Sequence, residues 1–536
     1  MAKAPDCDAV IIGAGFGGLY AVRRLTDAGL KVIAFEKGDD VGGVWYWNRY
    51  PGARCDCESY YYSYGFSEEL QQAWTWSLRY SEQPEILRYL AHVADRFDLR
   101  RHYRFSTAVT GATFDEAAGR WRVTAADGGV VSARFLVTAM GCLSQVNWPD
   151  IDGVRDFEGR LFHTAEWPHE SIDFTGRRVG IIGTGASAVQ AIPRIAQQAA
   201  RLTVFQRTAN WVLPAWNRAA EPEFDAWVKA NYADIRARCL ASGGAVPFDP
   251  PSRAASEVSD AERDAIFESL WTLGGMRFFT AFTDLFTSTA ANAAAQAFVR
   301  GKIHQTVRDP QTARKLSPDD HPIGVKRPPL DDDYYATFNR DNVELVDVRS
   351  APIHAVEGRI VRTADAAFEL DDLVVATGFD AITGPLLALD LRGRGGVRLA
   401  DVWRDGPQTY LGLGVAGFPN LFTVTGPLSP SVLANMPTAV EQHVDWIADC
   451  ILALRRRGVS TIEPADAAQA AWASHTAEVV QGTLYPQSNS WYFGSNIPGK
   501  PRTFGVYLGG FDRYRERCAA IAEAGYEGFR LDAAPN

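Results

Sequence analysis

Phosphate chemistry is written at two places in this chain of 536 residues. Gly13-Ala-Gly15-Phe-Gly-Gly18 follows the apolar run Asp8-Ala-Val-Ile-Ile12 and leads into an amphipathic stretch from Leu19 to Ala28. Gly183-Thr-Gly185-Ala-Ser-Ala188 follows Arg178-Val-Gly-Ile-Ile182 and repeats the design, with alanine in the third position, an accepted variant. A strand that feeds such a loop into a helix brings backbone N–H groups and the positive helix end up to a pyrophosphate. The residue closing the next strand then selects the ribose. Glu36, about 20 residues after the first loop, accepts from a free hydroxyl and repels a 2′-phosphate. The strand Arg201-Leu-Thr-Val-Phe205 ends instead in Gln206-Arg207-Thr208, whose guanidinium and hydroxyl bind that phosphate. The first loop suits FAD and the second NADP, on loop chemistry alone.

Two further places hold polar groups in telling surroundings. From Gly42 to Asp56 the chain is a dense aromatic block around glycine turns; Gly43, Val44 and Trp45 can wall a flavin, and Asp56 is the one polar group left to point inward. Lys326-Arg327-Pro328 sets two cations side by side, a pattern that by itself usually marks a solvated face.

The elements that must position these groups follow from periodicity. Leu30 to Phe35 reads as a second buried strand, and Pro84 opens a helix whose apolar face is Ile86, Leu87, Leu90, Val93, Ala94 and Phe97. Phe105 to Val137 is strand-like and broken by turns, ending in the apolar run Phe135 to Gly141. Residues from about 221 to 320 are rich in alanine and acids at helical spacing, as in Asp260–Leu270 and Thr289–Ile303. Asp372-Leu-Val-Val-Ala-Thr-Gly378 is another apolar strand closed by glycine. Arg455-Arg-Arg457 before Gly458 reads as a helix C-terminus, where cations meet the dipole and glycine takes the left-handed cap.

Composition excludes several classes. The chain exceeds one hydrophobic core, so two or more domains are expected. Its 46% hydrophobic and 22% charged residues are those of an ordered globular protein. A net charge of −10 with no basic face argues against nucleic acid and anionic membrane. Seven cysteines without regular spacing make no disulfide framework, and Cys55-Asp-Cys57 lacks the two-residue spacer of a redox-active pair. No signal segment and no run of about 18 apolar residues is legible, so a cytoplasmic protein is expected. No metal is expected.

Between the two loops lies Phe157-Glu-Gly-Arg-Leu-Phe-His-Thr-Ala-Glu-Trp-Pro168, with Phe157, Gly159, His163, Trp167 and Pro168 as its skeleton. This stretch resembles the fingerprint of type I Baeyer–Villiger monooxygenases, in which it links the FAD and NADP domains. Ala53-Arg-Cys-Asp56, Gln83-Pro-Glu-Ile-Leu87 and Ser429-Pro-Ser-Val-Leu433 are most similar to the phenylacetone and steroid monooxygenase branch. The resemblance implies an α/β fold with two Rossmann-like dinucleotide-binding domains and an inserted helical subdomain. Its bounds are 1–145 and 385–536 for FAD, 150–220 and 335–384 for NADP, and 221–334 for the insertion.

The resemblance also implies roles. Arg327 becomes the catalytic arginine, with Asp56 orienting it, and Lys326 a ligand of the 2′-phosphate. Tyr62 joins the flavin wall. Trp491, in Ser490–Gly499, reaches the nucleotide, and Leu143, Ser431, Val432, Leu433 and Met436 line the substrate pocket. Leu428 and Pro437 depart from the family pattern beside that pocket. The implied activity is NADPH- and O2-dependent oxidation of a ketone (aryl, cyclic or steroid-like) to an ester or lactone through a flavin peroxide and a tetrahedral adduct. Arginine, charged at any relevant pH, is the cation such anions require. The partners are a ketone and O2, and a monomer or weak oligomer is expected. A flavin-containing or N-hydroxylating monooxygenase is the alternative enzyme, and a non-catalytic flavin redox sensor the alternative class. A disulfide reductase is disfavoured by the missing C-x-x-C.

Overall fold

The computed structural model describes residues 4–533, so the outermost ends of the 1–145 and 385–536 segments lie outside the described residues. Strand β1 (Cys7–Ile12) passes through the first glycine loop into helix α1 (Phe16–Asp27) and returns as β2 (Val32–Phe35). β1 is buried along nearly its whole length, which is why it reads as a continuous apolar run and not an alternating one. α1 begins earlier than the sequence pattern places it and takes Gly17 and Gly18 into its first turn. A Cβ on Gly18 would lie 1.8 Å from the Gly13 carbonyl oxygen, so only glycine permits this closure. The helix ends before Gly29, which takes φ +76°.

β3 (Tyr103–Arg104), β4 (Val109–Asp115), β5 (Arg120–Ala125) and β6 (Val130–Thr138) complete the early strands. Two much later strands, β15 (Asp390–Arg392) and β16 (Leu421–Thr423), join the same eight-stranded sheet. Its order is β15-β4-β5-β6-β1-β2-β3, with β16 parallel to β6. A second, five-stranded sheet has the order β10-β9-β8-β14-β7 and is parallel throughout. Its strands are β7 (Arg160–His163), β8 (Arg178–Ile182), β9 (Arg201–Gln206), β10 (Val343–Asp347) and β14 (Asp372–Val375). The second glycine loop joins β8 to helix α2 (Ala186–Ala196). A small antiparallel sheet of β11 (Ile353–Glu357), β12 (Ile360–Thr363) and β13 (Ala367–Glu369) sits between β10 and β14 in the chain.

The fingerprint thus belongs to the second sheet. Its core, Arg160–His163, is the edge strand β7, hydrogen-bonded along β14. Phe157 is buried in one apolar cluster of that unit and Trp167 in another, with Trp167 stacked on Phe162 at 5.1 Å. Between β9 and β10 the chain is helical, with Asp260–Leu273 and Thr289–Thr306 the longest elements, each opened by a serine N-cap. Helix α3 (Met436–Arg456) closes the first unit by packing on α1, and its last turn carries Arg455 and Arg456 as charge and periodicity require. All seven cysteines are buried and unpaired; burial pushes the Cys7 thiol up to about 11 and those of Cys239 and Cys518 up to about 12.

Candidate functional site

Both glycine loops end at helix N-termini that no side chain caps. Gly15 heads α1 and Gly185 heads α2, neither first turn holds an acid, and the leading N–H groups remain available to an anion. Space exists for one: a Cβ on Gly185 would meet nothing within 4 Å. Gly13 and Gly183 turn the two loops, and Ala188 is fully buried in the helix that follows the second. The residues present therefore fit two dinucleotide pyrophosphates. Glu36 is buried, and its two oxygens accept from Ala14 N and Gly38 N at 2.8 Å each. The carboxylate shapes the first loop, and its remaining lone pairs are those a ribose hydroxyl would use.

Across the first loop, Gly43 (φ +55°) brings the aromatic block against Gly15; a Cβ there would lie 2.7 Å from the Gly15 Cα. Val44 is half-buried, and Trp45 is buried with its Nε1–H donated to the Tyr62 hydroxyl at 3.1 Å. At the second loop the Arg207 side chain is exposed, while the Thr208 carbonyl accepts from the Thr184 hydroxyl at 2.8 Å. Lys326 is half-buried, and its ammonium is held below the ordinary lysine range by burial and by the nearby Arg207 charge, against the pull of Asp320. Two cations from segments 119 residues apart in sequence, 326 against 207, share one neighbourhood.

The Asp56–Arg327 pair is the centre of the arrangement. Arg327 Nε donates to Asp56 Oδ2, Nη2 donates to Oδ1 at 2.8 Å and weakly to Cys57 Sγ at 3.8 Å, and Nη1 donates to the Val432 carbonyl at 2.7 Å. A guanidinium has five N–H donors, so one Nη1–H is left uncommitted. The side chains are 29% and 26% exposed, which keeps the pair reachable from one side. Burial pushes Asp56 up, but the adjacent guanidinium outweighs it and holds the carboxyl below its ordinary range; Asp56 likewise overcomes burial to lift Arg327. Cys55, Asp56 and Cys57 place their ligand atoms within 4.8 Å of one another. With both Asp56 oxygens on Arg327, this trio is an ion-pair site and not a metal cage.

Val432, which receives Arg327, belongs to an apolar cluster with Cys142, Tyr485, Tyr492 and Phe504, and Leu143, Leu433 and Trp491 pack against it. Ser431 is buried beneath this wall, its hydroxyl reaching the Thr425 carbonyl at 3.3 Å. Met436 and Leu428 face the other way, into the core of the first unit, and Pro437 takes the ordinary N-terminal position of α3. Leu428 holds φ +64°, a left-handed backbone in which glycine is the unstrained residue. Neither departure from the family pattern belongs to the apolar cluster of Val432 and Leu433.

The fingerprint reaches the site through backbone. His163 is buried; its Nδ1 accepts from Ala165 N at 3.1 Å, so its proton is on Nε2, 3.3 Å from the Asn147 carbonyl. Burial lowers its pKa to about 4. Asn147 also pairs with Gly378 and accepts from the Thr377 hydroxyl at 2.6 Å, so the two chain crossings between the sheets are laced side by side. Gly159 lies against the Asp371 carbonyl, and Pro168 is half-buried beside Trp167.

Sequence reasoning missed two pairs flanking Asp56: Arg54 with Asp331, and Glu58 with Arg79 and Arg277. Their partners lie too far along the chain for any spacing rule, and only the charged residues at every second position, 54, 56 and 58, hint at them.

Two strand–glycine-loop–helix units in one chain, with an Asp56–Arg327 ion pair beside an apolar wall, define a class, the two-dinucleotide oxidoreductases. A model of the flavin-binding monooxygenase-like family matches residues 7–241. The chain is 45% identical over 525 residues to a Baeyer–Villiger monooxygenase of Pseudooceanicola batsensis, covering 97% of this chain and 95% of that protein. It is 42% identical over 533 residues to a phenazine N-monooxygenase of Lysobacter antibioticus, covering 99% and 98%. An oxidized steroid monooxygenase bound to NADP superposes with a TM-score of 0.94 at 52% identity, covering 98% of this chain and 100% of that one. The chain belongs to the Baeyer–Villiger monooxygenases of the flavin-binding monooxygenase-like family.

Proposed function

We propose that the protein inserts one oxygen atom of O2 beside the carbonyl of a bulky hydrophobic ketone, using FAD and NADPH: ketone, NADPH, H+ and O2 give ester or lactone, NADP+ and water. The observation that carries this is the Asp56–Arg327 pair with its uncommitted N–H, set beside an apolar wall in a chain with two dinucleotide loops. FAD, when bound, supplies the electron transfer and oxygen activation that no side chain can. Gly13, Gly15, Gly18 and Glu36 would hold its pyrophosphate and ribose, with Gly43, Val44, Trp45 and Tyr62 walling it. Gly183, Gly185 and Ala188 would hold NADPH, with Arg207, Thr208 and Lys326 on its 2′-phosphate and Trp491 closing over it. Arg327 presents a fixed positive charge to the negative charge that develops on the substrate carbonyl oxygen. Asp56 fixes the plane of that guanidinium, and Val432 fixes its other arm. Because these donors are oriented before reaction, they cost no reorganisation during it. His163, neutral at working pH, holds the crossings together and moves no proton.

Tyr485, Tyr492, Phe493 and Phe504 around Leu143, Val432 and Leu433 favour an aryl, cyclic or steroid-like ketone, in keeping with the steroid monooxygenase likeness. Sheet membership supports the division at 1–145 with 385–536, 150–220 with 335–384, and 221–334. Among the described residues no helix is long and apolar enough to cross a membrane. Seven unpaired cysteines favour a reducing, cytoplasmic setting, and a charge of −10 favours a monomer or weak oligomer. Heteroatom oxidation is the second reading, favoured by the phenazine N-monooxygenase relative. Purified enzyme with NADPH, offered aryl, cyclic and steroid ketones beside phenazine and analysed by mass spectrometry, decides. Ester or lactone is the expected product; N-oxide alone would overturn the reading.

A further inference from the structure

Arg54, Asp56 and Glu58 alternate with Cys55 and Cys57, which are buried in the core of the first unit. Each of the three charged residues meets a partner of opposite sign from the inserted segment: Asp331, Arg327 and Arg277. Polarity reverses once, between the Arg54–Asp331 rung and the two that follow, and every cation faces an anion.

The Arg54–Asp331 rung is the most deeply buried, its side chains only 6% and 2% exposed. Arg54 Nε has no hydrogen-bond partner there. A buried ion pair with an unmet donor is a poor source of stability, because desolvation offsets most of the attraction. Its geometry, by contrast, is fixed from every side. The Arg54 backbone exchanges hydrogen bonds with the Gln190 side chain of α2 at 3.3 and 3.2 Å. Asp331 N donates to the Leu213 carbonyl at 3.1 Å, and Asp331 Oδ1 accepts from Asp333 N at 2.8 Å. Between Asp331 and Arg327 stand Pro328 and Pro329, whose locked φ angles make the spacer a stiff arm.

We infer that Arg54 and Asp331 are positioning residues for Arg327: the pair pins one end of the Pro328–Pro329 arm so that the other end delivers the guanidinium to Asp56. The anchor also ties the catalytic arginine to α2, the helix of the second nucleotide loop, through Gln190. This rests on the role proposed for Arg327.

The test replaces both members, Arg54→Met with Asp331→Leu, so that neither is left buried and alone, and compares Asp331→Asn, which keeps the shape and removes the charge. FAD-loaded variants are assayed for thermal midpoint, ester formed per NADPH consumed, hydrogen peroxide released, and amide exchange over residues 323–331. A displacement of about 1 Å at a reacting centre costs on the order of a hundredfold. Ester formation should fall by up to that factor with the KM for ketone little changed. NADPH should still be consumed, its electrons leaving as hydrogen peroxide (NADPH + H+ + O2 → NADP+ + H2O2), and exchange over 323–331 should quicken; the thermal midpoint should stay near the parent's in the double variant and fall in Asp331→Asn, which leaves Arg54 buried without its partner. Parental coupling and exchange in both variants would overturn the inference. Arg327→Ala is run beside them: coupling that survives Arg327→Ala refutes the role on which the inference rests, whereas coupling lost there but kept in both other variants refutes positioning alone.

Discussion

Replacing Arg327 by alanine tests the centre of the site. The guanidinium makes two bonds to Asp56, one to the Val432 carbonyl and a weak one to Cys57, and none of these reaches either glycine loop. FAD loading and adenosine-phosphate binding should therefore survive. Loss of one oriented donor in a site closed to water costs about 2.7–4 kcal/mol, a hundredfold to a thousandfold in the rate of ester formation. Flavin reduction followed by stopped flow should slow less than ester formation, and hydrogen peroxide should account for the missing product. The sign of the acid response should also reverse. In the parent, Asp56 titrates below its ordinary value of 3.8, so its contribution is present above that value and lost as pH falls through the folded pKa. Without Arg327, burial is opposed only by a backbone hydrogen bond and the Cys57 thiol and should raise Asp56, so the variant should lose stability as pH rises from the ordinary value through the raised one. Arg327→Lys restores charge without the planar fork and should recover little. Near-parental ester formation by Arg327→Ala would refute the reasoning.

Other perturbations probe the surroundings. Arg207→Ala and Lys326→Ala should each weaken NADPH about tenfold to a hundredfold, since a charge-assisted contact contributes about 1.5–3 kcal/mol, and leave NADH unchanged; steady-state KM values for both cofactors check this. His163→Ala should keep its FAD and lose coupling through the loosened crossings, whereas Trp167→Ala should cost about 3–5 kcal/mol of stability because its ring is core, as denaturant titration would show. Leu428→Gly should be more stable than Leu428→Ala by about 1 kcal/mol, the inverse of the usual order, because alanine keeps the left-handed strain and glycine relieves it. His163 and His443, lowered by burial to about 4 and about 3, stay neutral when folded but protonate near 6.5 when unfolded. Thermal midpoints should therefore fall as pH drops from 6.5 toward 4, and His443→Gln should flatten that slope.

The parts of this fold governed by local rules were legible in the sequence. Glycine spacing located both loops, and one residue after each, Glu36 against Arg207, carries the expectation that they take different nucleotides. Buried parallel strands announced themselves as unbroken apolar runs. What escaped was non-local. The fingerprint reads as a link because it lies between the loops, yet Arg160–His163 pairs with β14, more than 200 residues later, and nothing in twelve residues reveals that partner. Arg54 and Asp331 each resemble ordinary surface charges until the fold buries them together. Leu428 and Pro437 depart from the family pattern beside the expected pocket, and only the fold shows Leu428 packed in the core and Pro437 in the first turn of α3.

The buried cysteines bear on how the enzyme ages. The thiolate is the form that peroxide attacks, and a thiol held at about 11 to 12 is ionised in roughly one molecule in ten thousand or fewer at neutral pH, as for Cys7, Cys239 and Cys518. A turnover that released peroxide would place an oxidant inside a molecule whose Cys7, Cys239 and Cys518 sulfurs are both buried and protonated. Thioethers have no such shelter, because they react without first losing a proton. Oxidative wear falls to the half-buried methionines Met140, Met276 and Met436, the last at the head of α3 immediately after the turn that holds Arg327.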